Sequence, residues 1–113
     1  MKQFSLEELS QVAFQIISFA GEAKSEAMLG IYAARDAADF VKAQNHIKQA
    51  NDLINQATKT HFELIQEEAQ GNQIWIPLIL MHAEDQLLST QSVILLAEEI
   101  IRLHQKIKEQ KPC

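Results

Sequence analysis

His82 and Asp85 are the two residues of this sequence whose types and spacing most directly admit chemistry. On a helix, a separation of three puts the imidazole and the carboxylate on one face, near enough to interact. Their neighbours are Leu80, Met81, Leu87 and Leu88. Setting ionisable groups in such surroundings costs desolvation free energy that packing alone would not demand. A neutral imidazole is nucleophilic near pH 7, which suits it to accept a transferred group. The same side chains could instead bind a metal ion, or form a structural polar pair that fixes the register of a non-catalytic helical bundle. Residue types leave these readings open.

The remaining chemistry is sparse. His46 and His61 fall on a polar-rich stretch and read as solvated or half-buried, while His104 sits where a cation would favour a helix C-terminus. There is no Cys–His or Ser–His–Asp grouping, no H-E-x-x-H and no glycine-rich phosphate loop. A phosphoryl-transfer role would therefore not draw its phosphate from bound ATP. A carboxylate-bridged di-metal bundle needs Glu on two helices and Glu-x-x-His on two others. One His-x-x-Asp in the reverse order does not supply that, so a metal-dependent bundle enzyme ranks last.

The elements that would position these residues read as helices. The chain has 113 residues, 47 % of them hydrophobic, with 3 glycines and 2 prolines. That is too apolar for a disordered chain and too poor in turn formers for an all-β one. The length suits a single domain over 1–113. A net charge of −5 disfavours nucleic acid and anionic membrane as partners. One cysteine, Cys113 at a frayed end, forms no internal disulfide. No signal peptide is evident, and no apolar run approaches the ~20 residues that span a bilayer. A soluble, cytoplasmic protein is expected.

Ser5 and Glu8 form a capping box. From there Leu9, Val12, Phe14, Ile16, Ile17, Ala20, Ala23, Ala27, Met28 and Ile31 keep helical spacing. Gly21 and Gly30 interrupt that face and are expected to mark close backbone approaches. The pattern dissolves over residues 35–39, where Asp39 is a natural N-cap for a second helix ending at Gly71-Asn72. Gln73 to Ile76 then connect to a third helix, with Pro77 in its first turn and its end near Lys108. Leu80, Leu87, Ile94 and Ile101 recur every seven residues along it, with Ala83 and Ala97 between. A second stripe runs through Leu78, Met81, Leu88, Leu95 and Leu103. Two stripes call for burial on two sides, which a three-helix monomer cannot provide. Several chains are expected to associate, with the third helix nearest the shared axis. The simpler alternative is an elongated monomer with an apolar third helix.

At this point the residues resemble a known family, the enzyme IIA component of the lactose/cellobiose class of the bacterial phosphoenolpyruvate-dependent sugar phosphotransferase system. Ile16 through Ser25, with its Ala20-Gly21 pair, resembles the family's first-helix signature. Asp39-Phe40 resembles its inter-helix turn, and Glu63 through Ala69 with Gly71 the end of its second helix. His82-Ala83-Glu84-Asp85-Gln86-Leu87 resembles its active-site motif, and the spacing onward to His104 fits. The likeness runs from about residue 12 to residue 108.

The resemblance implies an all-α fold, three long antiparallel helices in an up-down-up bundle that assembles into a homotrimer of nine helices. It implies a phosphotransferase component in which His82 accepts a phosphoryl group from phospho-HPr and passes it to a cysteine of a sugar-specific IIB component. Contact with the membrane would be indirect, through the IIC permease. Asp85 matches an aspartate that meets its symmetry mates on the trimer axis and holds a divalent cation, usually magnesium. Three converging carboxylates cannot all stay ionised without a cation or bound protons. Gln86 and Ser89, one to two turns beyond His82, could donate hydrogen bonds to the phosphoryl oxygens. Three departures stand out: Gln86 where the family usually has a second histidine, Glu84 where it has Gln, and Thr58 where it often has His. Glu84 is expected to add negative charge near the phosphate and slow its arrival. The sugar, whether lactose, cellobiose, chitobiose or a related glycoside, is not specified.

Overall fold

A computed structural model describes residues 2–110, so the Cys113 expectation lies outside the described residues. The chain forms α1 (Leu6–Ala37), α2 (Phe40–Ala69) and α3 (Leu78–Glu109). The short connections between them reverse the direction each time, giving an up-down-up rod with a cross-section of 21 × 18 Å. None of the helices is long and apolar enough to cross a membrane.

Local chemistry sets each boundary. The Ser5 hydroxyl accepts the Glu8 N–H at 3.1 Å, and the Glu8 carboxylate accepts the Ser5 N–H at 3.0 Å, closing the capping box. The neighbouring Lys2 ammonium, 2.8 Å away, together with that N–H holds the Glu8 carboxyl below its ordinary pKa. α1 ends where Ala38 turns left-handed at φ 50°, and Asp39 then caps α2 by accepting the Lys42 N–H at 3.0 Å. Gly71, at φ +96°, closes α2. Pro77 stands one position earlier than its expected place in the first turn of α3: it is the N-cap, and its carbonyl accepts from Leu80 and Met81. The α2–α3 connection is clasped by the N-terminal segment. Gln73 N–H donates to the Lys2 carbonyl, Lys2 N–H to Asn72 Oδ1, and the Trp75 indole to the Phe4 carbonyl at 2.7 Å.

The core is a narrow seam rich in alanine. Leu9, Ala13, Ile16, Ala20, Ala23 and Ala27 of α1 meet Ala43, Ile47, Ala50, Ile54 and Ala57 of α2. From α3 come Leu80, Ala83, Leu87, Ile94, Ala97 and Ile101, the seven-residue line read from the sequence with its two alanines. Small side chains let the helices approach closely. Phe14, expected on the apolar face, is 61 % exposed, and Ala13 is buried in its stead. The helix phase places the small residue inside and the aromatic out. Between α2 and α3 the seam is polar: His61 bonds Glu84, Gln91 bonds Thr58 and Asn51 bonds Glu98.

The two helix glycines differ. A Cβ at Gly30 would lie 3.1 Å from the Ala43 carbonyl oxygen and 3.4 Å from Ile101 Cδ1, so this glycine does mark a close approach of α1 to α2. Gly21 has open space around its Cβ position, against expectation. Gly21→Ala should therefore stabilise the chain by about 0.5–1 kcal/mol, the ordinary helix-propensity gain. Gly30→Ala should lose that gain to backbone overlap and lower the urea midpoint. Equal stabilisation by both substitutions would contradict the close-approach assignment.

Candidate functional site

α3 carries the residues of interest on a face its own subunit leaves bare. Leu78, Leu88 and Leu95 are 76 %, 62 % and 65 % exposed, and Met81 and Leu103 are exposed beside them. These are the members of the second apolar stripe, and nothing within the described residues of the subunit covers them. Asp85, also exposed, falls in the midst of the stripe, between Met81 and Leu88 at helical spacing. His82 is exposed at the edge of the same face, where it lines a shallow recess with Leu78 and Ile79. Gln86 and Ser89 follow at four and seven residues, on the His82 side of the helix, Gln86 half-buried and Ser89 exposed.

The expected contact between His82 and Asp85 is not formed. Among the described residues neither side chain has a hydrogen bond or ion pair, so spacing on the helix places them near one another without joining them. The joined pairs lie elsewhere. His46 Nδ1 is 2.6 Å from Glu26 Oε2, tying α2 to α1. His61 Nδ1 is 2.6 Å from Glu84 Oε2 and 2.8 Å from Oε1, tying α2 to α3. Both histidines are partly buried, in keeping with the half-buried reading, but their carboxylate partners sit 20 and 23 residues away in sequence and had no local signal.

Glu84, expected to add negative charge near the phosphate, stands on another side of α3 from His82 of the same chain. Two residues separate it from His82, a rotation of about 200° around the helix, so it points away from His82 of its own subunit. Its carboxylate is bonded to His61 Nδ1. The pair borders a cavity of about 240 Å³ walled by Leu64, Ile65, Ile74, Ile76 and Leu80, with Glu68 as a further carboxylate in its lining.

A cation site within one subunit is absent from the described residues: no three His, Cys, Asp or Glu side chains come together. Asp85 offers one carboxylate, a hard oxygen donor of the kind magnesium takes, and it would need carboxylates from other copies to complete a site. Its setting fits that requirement. An unpaired carboxylate in an apolar face needs a counter-charge once the face is covered.

The sequence matches the family described as the lactose/cellobiose-specific IIA subunit of the PTS system, over residues 11–105. It is 38 % identical over 105 residues to the lichenan-specific phosphotransferase enzyme IIA component of Bacillus subtilis, covering 93 % of this chain and 94 % of that one. It is 34 % identical over 103 residues to the lactose-specific EIIA component of Lacticaseibacillus casei, covering 91 % of each. The fold superposes on the crystal structure of a cellobiose-specific enzyme IIA from Bacillus anthracis with a TM-score of 0.88, 33 % identity and 96 % of each chain covered.

The His61–Glu84 bond is testable by itself. A double-mutant cycle with His61→Ala and Glu84→Ala should give a coupling of about 1 kcal/mol in stability, as for a partly buried pair. Additive single effects would contradict it.

Proposed function

The chain belongs to the lactose/cellobiose-specific IIA family of the sugar phosphotransferase system, and from that membership we propose that it is a histidine phosphocarrier acting through His82. The observation that carries this reading is the state of its histidines. His46 and His61 each have Nδ1 against a carboxylate, whereas the His82 ring is exposed, without a partner among the described residues, and at the rim of an uncovered apolar face. A ring in that position can meet a second protein.

The donor is phospho-HPr and the acceptor a cysteine of a IIB component. In the first step the P–N bond of the donor phosphohistidine breaks, its electron pair returning to the donor ring. A lone pair of the His82 ring forms the new P–N bond, with no net proton released. The transition state of such a transfer is loose, so the protein's work is to align the ring and to offer donors to the equatorial oxygens. Gln86 and Ser89 lie on the His82 side of α3 and can serve there. In the second step the cysteine thiolate forms a P–S bond as the P–N bond to His82 breaks. The reaction is confined to the cytoplasm, the permease being the only membrane partner.

Three copies assemble with the bare faces of α3 against one another. That arrangement covers Leu78, Met81, Leu88 and Leu95 and brings three Asp85 carboxylates to the axis. Two unit charges ~4 Å apart at an effective dielectric near 20 repel by about 4 kcal/mol, so three such pairs oppose assembly strongly. A divalent cation held by Asp85 from each subunit, magnesium being the natural choice, supplies the missing positive charge.

Two outcomes test this. Incubated with phosphoenolpyruvate, enzyme I and HPr, the chain should gain one phosphate by intact mass, and His82→Ala should gain none while keeping its helicity. One phosphate on His82→Ala would place the acceptor elsewhere. In sedimentation equilibrium the chain should run as a trimer of its 12.8 kDa subunit. Its melting temperature should fall by several degrees with a chelator, whereas Asp85→Leu should melt independently of metal. A monomer, or a native chain indifferent to chelation, would contradict the axial cation.

A further inference from the structure

The polar seam between α2 and α3 bears on the same chemistry in a way that depends on the phosphocarrier reading and its trimer. Successive residues of a helix are about 100° apart around its axis. On α3, Glu84, Gln91 and Glu98 share one flank of the buried line, and each is bonded to α2. On the opposite flank, Ile79, Gln86, Val93 and His104 are partly buried, with His104 beside Ala34 and Arg35 of α1. Asp85 lies near the middle of the bare face. His82 lies about 60° from it toward the α1 flank, and Glu84 about 100° from it toward the α2 flank.

A three-fold rotation about an axis near Asp85 has a necessary consequence. The α1 flank of each α3 meets the α2 flank of the next copy, at the same height along the rod. Glu84 is two residues from His82, about 3 Å along the helix. In that trimer the recess holding His82 of one subunit would open toward the His61–Glu84 pair of the neighbour, although the same pair in its own subunit is turned away.

We propose that the His61–Glu84 pair of each subunit completes the phosphoryl site of the adjacent subunit's His82, with His61 as a donor to a phosphoryl oxygen. An unpaired carboxylate at that place would repel the incoming dianion. His61 Nδ1 lies 2.6 Å from the carboxylate, and once the ring carries a proton on both nitrogens its Nε2–H is free to donate to the phosphoryl oxygen. Nε2 has no hydrogen-bond partner among the described residues. The apolar walls of the adjoining cavity, including Leu64, Ile65 and Leu80, lower the local dielectric and strengthen that bond. His61 binds the group in flight, while Glu84 acts through it as a positioning residue. The P–N bonds that break and form are those of the donor and of His82.

Mixed trimers test the arrangement. His61→Ala alone should accept phosphate from phospho-HPr about 10–100-fold more slowly, the loss expected for one hydrogen bond to a charged group. His61→Leu, which restores apolar volume, should be equally slow and guards against a folding defect. His82→Ala alone should accept none. When His61→Ala and His82→Ala chains are unfolded together in equal amounts and reassembled, an intact His82 meets an intact His61 on its neighbour in about half of the His82-bearing subunits. Those subunits should regain the native rate, seen by intact mass as a fast phase of that amplitude. A mixture that stays uniformly slow would assign His61 to its own subunit and overturn the proposal, as would His61 variants that react at the native rate. Native chain that takes no phosphate, or His82→Ala that does, would instead overturn the phosphocarrier reading beneath it.

Discussion

The bare apolar face of α3, with one carboxylate set into it, is the constraint on which the rest depends. Each subunit's interior is a thin, alanine-rich seam that α1, α2 and the Leu80–Ile101 line of α3 fill completely. Leu78, Met81, Leu88 and Leu95 are left outside it. Burying a leucine side chain stabilises by about 1.5–3 kcal/mol, so a row of four is a strong drive toward association. Covering the face would desolvate Asp85, whose carboxylate would then call for a cation or a bound proton. In the proposed assembly, association and the axial carboxylate are one problem, and His82 would sit at its boundary, where the covered face gives way to a surface that a partner protein can reach.

The second helix does different work. Beside the apolar core they share, α2 and α3 are joined by hydrogen-bonded pairs. Two of the chain's histidines are spent in this way, His46 on Glu26 of α1 and His61 on Glu84 of α3. Both rings are held by carboxylates, whereas the His82 ring has no partner among the described residues. Glu84, whose charge stood out in the sequence, is bonded in the fold to an imidazole of α2.

What could be read from the residues was what is decided locally. The Ser5–Glu8 box, the Asp39 cap and the Gly71 stop each involve contacts within three or four residues, and each formed as expected. The seven-residue line of α3 is periodic enough to set its own phase, and the second stripe was legible as a surplus of apolar residues. The failures share one cause, which is that they depend on how one helix is turned toward another. Phe14 and Ala13 are adjacent, and only the phase of α1 against its neighbours selects the alanine for the core. Gly21 and Gly30 look alike in sequence, but only Gly30 comes against the Ala43 carbonyl. His82 and Asp85 have the spacing of a pair and do not bond. His61 and Glu84 are far apart in the chain and do, because α2 and α3 bring them together.

The most direct measurement is side-chain footprinting of the intact, assembled protein by a diffusing radical, read residue by residue. Val41 and Phe62 are exposed in the subunit at 76 % and 54 %, a range that also includes Leu88 and Leu95. If copies of α3 cover one another's bare faces, Met81, Leu88 and Leu95 should be protected while Val41 and Phe62 react as free surface. Labelling of Leu88 and Leu95 at the rate of Val41 would mean that the face stays open, and the shared axis with its carboxylates would have to be abandoned.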